Sequence, residues 1–228
     1  MDKRDVVAKA IDHAVLKPEF TDLELEKEVK LAKEYNVASV CVKPCHVKIA
    51  GEILKDSKVL VGTVIGFPHG TTTTKCKVNE SIEAIENGAK ELDMVINIGK
   101  LISGDYQYLK NDISEVVNCA HDRNVIVKVI IETALLNDQQ KIQACEIAEQ
   151  AGADFVKTST GFNGGGASLS DIELMKESVS SKTKIKASGG IKTLEQAMKF
   201  IEVGCSRLGT SSTVAILTNS VNDVDSNY

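Results

Sequence analysis

The feature that most restricts the fold of this chain is an alternation of two hydrophobic patterns along its whole length. Short apolar runs stand at ASVCV (38–42), KVLVGTVIGF (58–67), ELDMVINI (91–98), VIVKVII (125–131), ADFVK (153–157), KIKAS (184–188) and SRLGT (206–210). They are nearly continuous rather than alternately apolar and polar, which is the pattern of parallel strands covered on both faces. Between them the period becomes helical. Thr21 and Glu24 make a capping box before a helix whose Leu25, Val29 and Ala32 share one face. Val78, Ile82 and Ile85 repeat that spacing before Asn87-Gly88, and Ile142, Cys145 and Ala148 repeat it before Ala151-Gly152. A glycine just past a helix end is the usual left-handed cap. Strand–helix alternation of this kind defines an α/β fold.

A repeat fixes the number of units. Residues 87–93, 151–157 and 203–209 each run from a helix end through a glycine into a short strand, and Asn36 opens a similar segment. The caps at 36, 88, 152 and 204 lie 52, 64 and 52 residues apart, so each interval holds two βα units. Counting the units between them gives eight strands, the first at Ile11–His13, and hence a single (β/α)8 TIM barrel. A doubly wound open sheet is the alternative, but no glycine-rich dinucleotide fingerprint follows the first strand. Five residues beyond the four caps stand Cys41, Asp93, Lys157 and Gly209. Equivalent units place these on strands 2, 4, 6 and 8, where alternate strands share an interior layer. The four should therefore face one another near the strands' C-terminal ends, with Gly209 leaving room for a ligand. With no Trp and nine Phe and Tyr in 228 residues, the core must be aliphatic, and Val, Ile and Leu layers are expected to fill the barrel.

Lysine is a poor strand former and costly to bury. Yet Lys128, Lys157 and Lys186 all stand in apolar strand segments. A lone strand-end lysine snorkels into solvent, but three converging on one mouth should depress each other's pKa, and desolvation adds to the effect. A neutral amine attacks carbonyls and forms Schiff bases. Lys157 is assigned as nucleophile and Lys186 as the neighbouring cation that keeps it neutral, with Lys128 a bridge between carboxylates. Asp93 reads as counter-ion and as proton shuttle during carbinolamine formation and dehydration, roles that can coexist. Asp12 either joins this cluster or caps the turn after the first strand. Cys41 either lines the cavity or serves packing. Gly161, Gly189-Gly190 and Thr210-Ser211-Ser212 follow late strands, where barrels cradle phosphate on backbone N–H groups.

Other chemistries fare worse. His13, His46, His69 and His121 show no ligand spacing and Cys41/Cys45 form only CxxxC, so neither a metal nor any other cofactor is expected. A formal charge of −5 offers no basic surplus for nucleic acid. The charged N-terminus is not a signal peptide, and no apolar run approaches bilayer length. Six scattered cysteines without CxxC pairs suit a reducing, cytoplasmic setting.

The segments DHAVLKP (12–18), SVCV (39–42), VIGFPHG (64–70), ELDMVINIG (91–99), KVIIET (128–133), AGADFVKTSTGF (151–162), KASGGI (186–191) and LGTSS (208–212) resemble the 2-deoxyribose-5-phosphate aldolase family. The resemblance runs in order from about residue 8 to 217, and ADFVKTSTG is its most specific stretch. It implies a metal-free class I aldolase that reversibly cleaves 2-deoxy-D-ribose 5-phosphate to acetaldehyde and D-glyceraldehyde 3-phosphate in deoxyribonucleoside breakdown. It also implies a Schiff base on Lys157, tuning by Lys186, proton transfer by Asp93 and phosphate on the Gly-Gly and Thr-Ser-Ser loops. Dimers are common in such a family, so a homodimer is expected. The chain departs from the family at Ala14, where many members carry Thr, and at Lys43-Pro44-Cys45, where Asn-Pro-aromatic is frequent. The barrel is assigned to residues 1–217 and a polar tail, ending in Tyr228, to 218–228. The alternatives are a lysine-dependent lyase for another phosphosugar and a non-catalytic phosphosugar-binding barrel.

Overall fold

In the computed structural model, which describes residues 2–218, the apolar runs become eight parallel strands. They are β1 (Ile11–Val15), β2 (Ser39–Val42), β3 (Leu60–Ile65), β4 (Glu91–Val95), β5 (Ile126–Ile130), β6 (Phe155–Lys157), β7 (Lys184–Ser188) and β8 (Cys205–Thr210). Each pairs with its sequence neighbours, and β1 also pairs with β8, so the sheet closes into a barrel and leaves no open edge. The open-sheet alternative is thereby excluded.

Ten α-helices surround the described barrel: α1 (Lys3–Ala8), α2 (Asp22–Glu34), α3 (Val47–Ile53), α4 (Thr74–Glu86), α5 (Ile98–Ile102), α6 (Tyr106–His121), α7 (Asp138–Gln150), α8 (Leu169–Glu177), α9 (Leu194–Val203) and α10 (Thr213–Thr218). The Thr21–Glu24 capping box forms as read, and Asn36, Gly88, Gly152 and Gly204 all adopt positive φ after their helices. Helix α4 differs from the expected face. Its buried stripe is Lys77, Ser81 and Ala84, with Val78 and Ile85 at the flanks. The reason is polar: the Lys77 ammonium donates to the Val95 carbonyl at 2.9 Å and to Asp112 of α6 at 2.6 Å, turning that face inward.

A second expectation fails more instructively. Val, Ile and Leu do form the core, but between the sheet and the helices, where Val40, Val42, Leu92, Met94, Val127 and Val129 are buried. The barrel interior is polar. Contacts that cross it, such as Lys128 of β5 to Asp12 of β1 at 3.3 Å, show that these residues point to the axis. Residue pairing gives the layers. Cys41 pairs with Gly62 and Gly62 with Glu91, two residues before Asp93, and the same two-residue advance leads from Asp93 to Lys157 and from Lys157 to Gly209. The closing step, from Gly209 through Asp12 and Ser39 to Cys41, repeats it. Cys41, Asp93, Lys157 and Gly209 thus make one layer, above Asp12, Gly62, Lys128 and Lys186, with Ser39, Glu91, Phe155 and Arg207 lowest. The tail and Tyr228 lie outside the described residues, except that Thr218 closes α10.

Candidate active site

Lys157 ends β6 and is buried. Its Nζ donates to Asp93 Oδ2 at 2.8 Å, an oxygen that also accepts from Lys186 at 2.7 Å. The other Asp93 oxygen accepts from Lys128 at 2.9 Å. Lys186 lies 2.6 Å from Asp12, while Lys128 lies 2.6 Å from Glu91. Asp12 therefore belongs to the cluster rather than to a turn cap, and Ser39 donates to it at 2.7 Å.

Three lysines do converge, but they do not depress one another alike. Burial pushes Lys157 below the ordinary lysine value; Lys186 pushes the same way, and Asp93 does not cancel them. Burial acts on Lys186 too, but Asp12 and Asp93 outweigh it and hold that ammonium above the usual value. Lys128 is held well above it against burial, by Asp12, Asp93 and Glu91. The expectation of mutual depression is corrected accordingly, because two of the three have carboxylates enough of their own. Asp93 is lowered well below the carboxylate range, since its three ammonium neighbours overcome burial. Cys41 faces the same cleft, and burial followed by the Asp93 charge pushes its thiol up to about 11. It is an unreactive wall here.

A family model for the DeoC/LacD family aldolases matches residues 6–217. The chain belongs to this aldolase family. It is 53% identical over 221 residues to a deoxyribose-phosphate aldolase of Carboxydothermus hydrogenoformans, covering 96% of this chain and 97% of the relative. A deoxyribose-phosphate aldolase of Caldicellulosiruptor saccharolyticus is 54% identical over 219 residues, covering 96% and 99%. Among solved structures, a putative deoxyribose-phosphate aldolase from Coccidioides immitis superposes with a TM-score of 0.92 at 41% identity, covering 96% of this chain and 87% of that one. The enzyme from Aeropyrum pernix, described as a unique tetramer, gives 0.88 at 28% identity, covering 97% and 93%.

In this member of the DeoC/LacD family, the cleft above the lysines is lined by Ala14, Leu16, Cys41, Thr160, Ser188 and Gly209 together with Asp12, Lys157 and Lys186. Ala14, at the departure noted above, thus fronts the site with a methyl group. Gly209 is needed there: a Cβ would fall 2.1 Å from Ser188 Oγ and 3.3 Å from Lys186 Cε. Ser188 Oγ is buried with no hydrogen-bond partner among the described residues, so it is available to a ligand hydroxyl or phosphate oxygen. Gly161, Gly189 and Gly190 take positive φ at the ends of β6 and β7. Thr210 turns outward, its hydroxyl donating to the Ile191 carbonyl at 2.8 Å and accepting from the Ser212 N–H at 2.9 Å. That hydroxyl is thus engaged within the loop itself.

The lowest layer is only faintly marked in the sequence. Arg207 grips Glu91 at 2.6 and 3.1 Å and also donates to Asp12. Glu91 and Arg207 stand two residues before Asp93 and Gly209, a period-two signal that would have found both. Glu132 was also missed. It takes a left-handed conformation, φ 57°, beyond β5, and its buried carboxylate accepts from the Thr160 N–H at 3.1 Å and Asn163 at 2.9 Å, fixing the loop that follows Lys157. Among the described residues no cluster of His, Cys, Asp or Glu is arranged to hold a metal, and no helix is long and apolar enough to cross a membrane.

Proposed function

We propose that this chain is a cytoplasmic class I aldolase that reversibly cleaves 2-deoxy-D-ribose 5-phosphate through a Schiff base on Lys157. The observation that carries the reading is a single asymmetry: Lys157 shares its one carboxylate with two other ammonium groups. Its amine is thus the one most readily neutral, and a neutral amine attacks the C1 aldehyde. Loss of water from the carbinolamine gives an iminium. Asp93, directly or through water, takes the C3 hydroxyl proton as the C2–C3 bond breaks, and the bond electrons pass into the iminium as an enamine. Glyceraldehyde 3-phosphate leaves, C2 is protonated, and water releases acetaldehyde from Lys157. The phosphate is assigned to Gly161, Gly189, Gly190 and the Thr210–Ser212 loop, across the mouth from Asp93. The activity also agrees with the names borne by relatives at about half identity.

The test is covalent capture. Incubation with acetaldehyde and borohydride should add one ethyl group to Lys157, mapped by peptide mass spectrometry, and Lys157→Ala should lose both adduct and cleavage. A label elsewhere, or none, would sink the reading. Because the iminium supplies the electron sink, EDTA should leave the cleavage rate unchanged.

A further inference from the structure

Beneath the reactive lysine, the barrel holds matched charges. Among the described residues, Lys128, Lys186 and Arg207 face Asp12, Glu91 and Asp93 inside the strands. Both oxygens of Glu91 and of Asp93 are occupied by cations. Asp12 is divided among Arg207, Lys186 and Lys128. These six charges cancel with Lys157 unprotonated. A proton on Lys157 adds one positive charge without a carboxylate of its own, in a space where uncompensated charge is strongly disfavoured.

We propose that Arg207 is a positioning residue for Lys157: it supplies the third cation of this closed balance and so makes the reactive amine the group that yields its proton. The inference rests on the Schiff-base reading for its consequence in catalysis, but the charge balance is a property of the barrel itself. Around Lys157 stand Asp93 from β4, Lys186 from β7 and Cys41 from β2, with Asp12 of β1 and Lys128 of β5 one contact further on. Strand β3 contributes the uncharged Gly62 and Val64, and β8 contributes Gly209. Around Arg207 stand Asp12, Glu91 and Lys128, and its guanidinium lies 5.9 Å from the Phe155 ring that Lys184 covers from 5.6 Å. Glu132, buried beyond β5, is held by Thr160 and Asn163. The directions of the lysine shifts agree: Lys157 goes down while Lys128, Lys186 and Arg207 go up against burial.

The experiment reads Lys157 without substrate. Competitive trace acetylation with acetic anhydride across a pH series, quantified by peptide mass spectrometry, gives the midpoint at which Lys157 becomes reactive. Arg207→Met leaves one negative charge in excess, so the midpoint should rise by about one pH unit. Glu91→Gln leaves one positive charge in excess and should lower it by a similar amount. The double variant restores the balance and should return the midpoint to the parent value, as should Arg207→Lys. A merely structural arginine gives single-variant midpoints that stay put or move the same way, and either result overturns the proposal. If Arg207→Met does not fold, Glu91→Gln and the double variant decide between the same outcomes. Acetaldehyde trapping on the same samples separates the two readings: an absent Lys157 adduct defeats the Schiff base, and unmoved midpoints defeat the balance.

Discussion

Lys157 and Lys186 have the same side chain, pair with each other across adjacent strands and share one oxygen of Asp93, yet the barrel treats them oppositely. The difference is Asp12, 2.6 Å from Lys186 and not among the contacts of Lys157. Chemistry then follows from counting neighbours: a second carboxylate keeps Lys186 charged, and the charge beside it helps strip Lys157. Lys186→Leu should therefore raise the Lys157 pKa, and the acid limb of the kcat/KM profile should move to higher pH. An unmoved limb would assign Lys186 to structure alone. Asp93→Asn keeps the shape but removes the proton acceptor, and should lower kcat by about 100-fold or more. It also removes the counter-ion of Lys157, so the acid limb should move to lower pH, opposite to Lys186→Leu.

At the scale of elements, the barrel converts a sequence period into a place. Residues five beyond each helix cap form one layer because the pairing advances two residues for every second strand, so Cys41, Asp93, Lys157 and Gly209 are legible as neighbours from the sequence alone. The same rule covers Glu91 and Arg207, which the sequence marks only weakly: Glu91 opens ELDMVINIG without a role of its own, Arg207 stands just outside LGTSS, and stepping back by two along β4 and β8 finds both. What could not be read was the inward turn of Lys77 on α4. Its partner Asp112 is 35 residues away on α6, and helical periodicity treats a lysine as a solvent-facing residue. That pair is fully buried, with Thr74 also donating to Asp112 at 2.8 Å. Removing one partner strands the other charge, so Asp112→Ala should cost about 3–5 kcal/mol and lower Tm by roughly 10 °C. Replacing both, by Lys77→Met with Asp112→Leu, should recover most of the loss. Equal losses in the single and double variants, measured by thermal unfolding, would show that the charge pair is not what joins α4 to α6.

For the molecule as a whole, polarity is inverted relative to an ordinary barrel: aliphatic residues lie outside the strands and charges along the axis. The axis also ties stability to pH. Asp12 and Asp93 are held below their ordinary value of 3.8 because neighbouring lysines and Arg207 outweigh burial. In the unfolded chain they take up protons near that ordinary value, while in the fold they resist. Their contribution is therefore fully present above about pH 4 and is lost as pH falls through the window between the unfolded and folded values. Glu80, raised by burial, acts in the opposite sense but is one group at the periphery. The urea midpoint should accordingly hold between about pH 7 and pH 5 and fall steeply below about pH 4. Asp12→Asn should flatten that descent while lowering the neutral-pH midpoint, because it leaves Lys186 and Arg207 short of a carboxylate. A variant as steep as the parent would mean that acid unfolds the enzyme from its surface and not from the axis of its barrel.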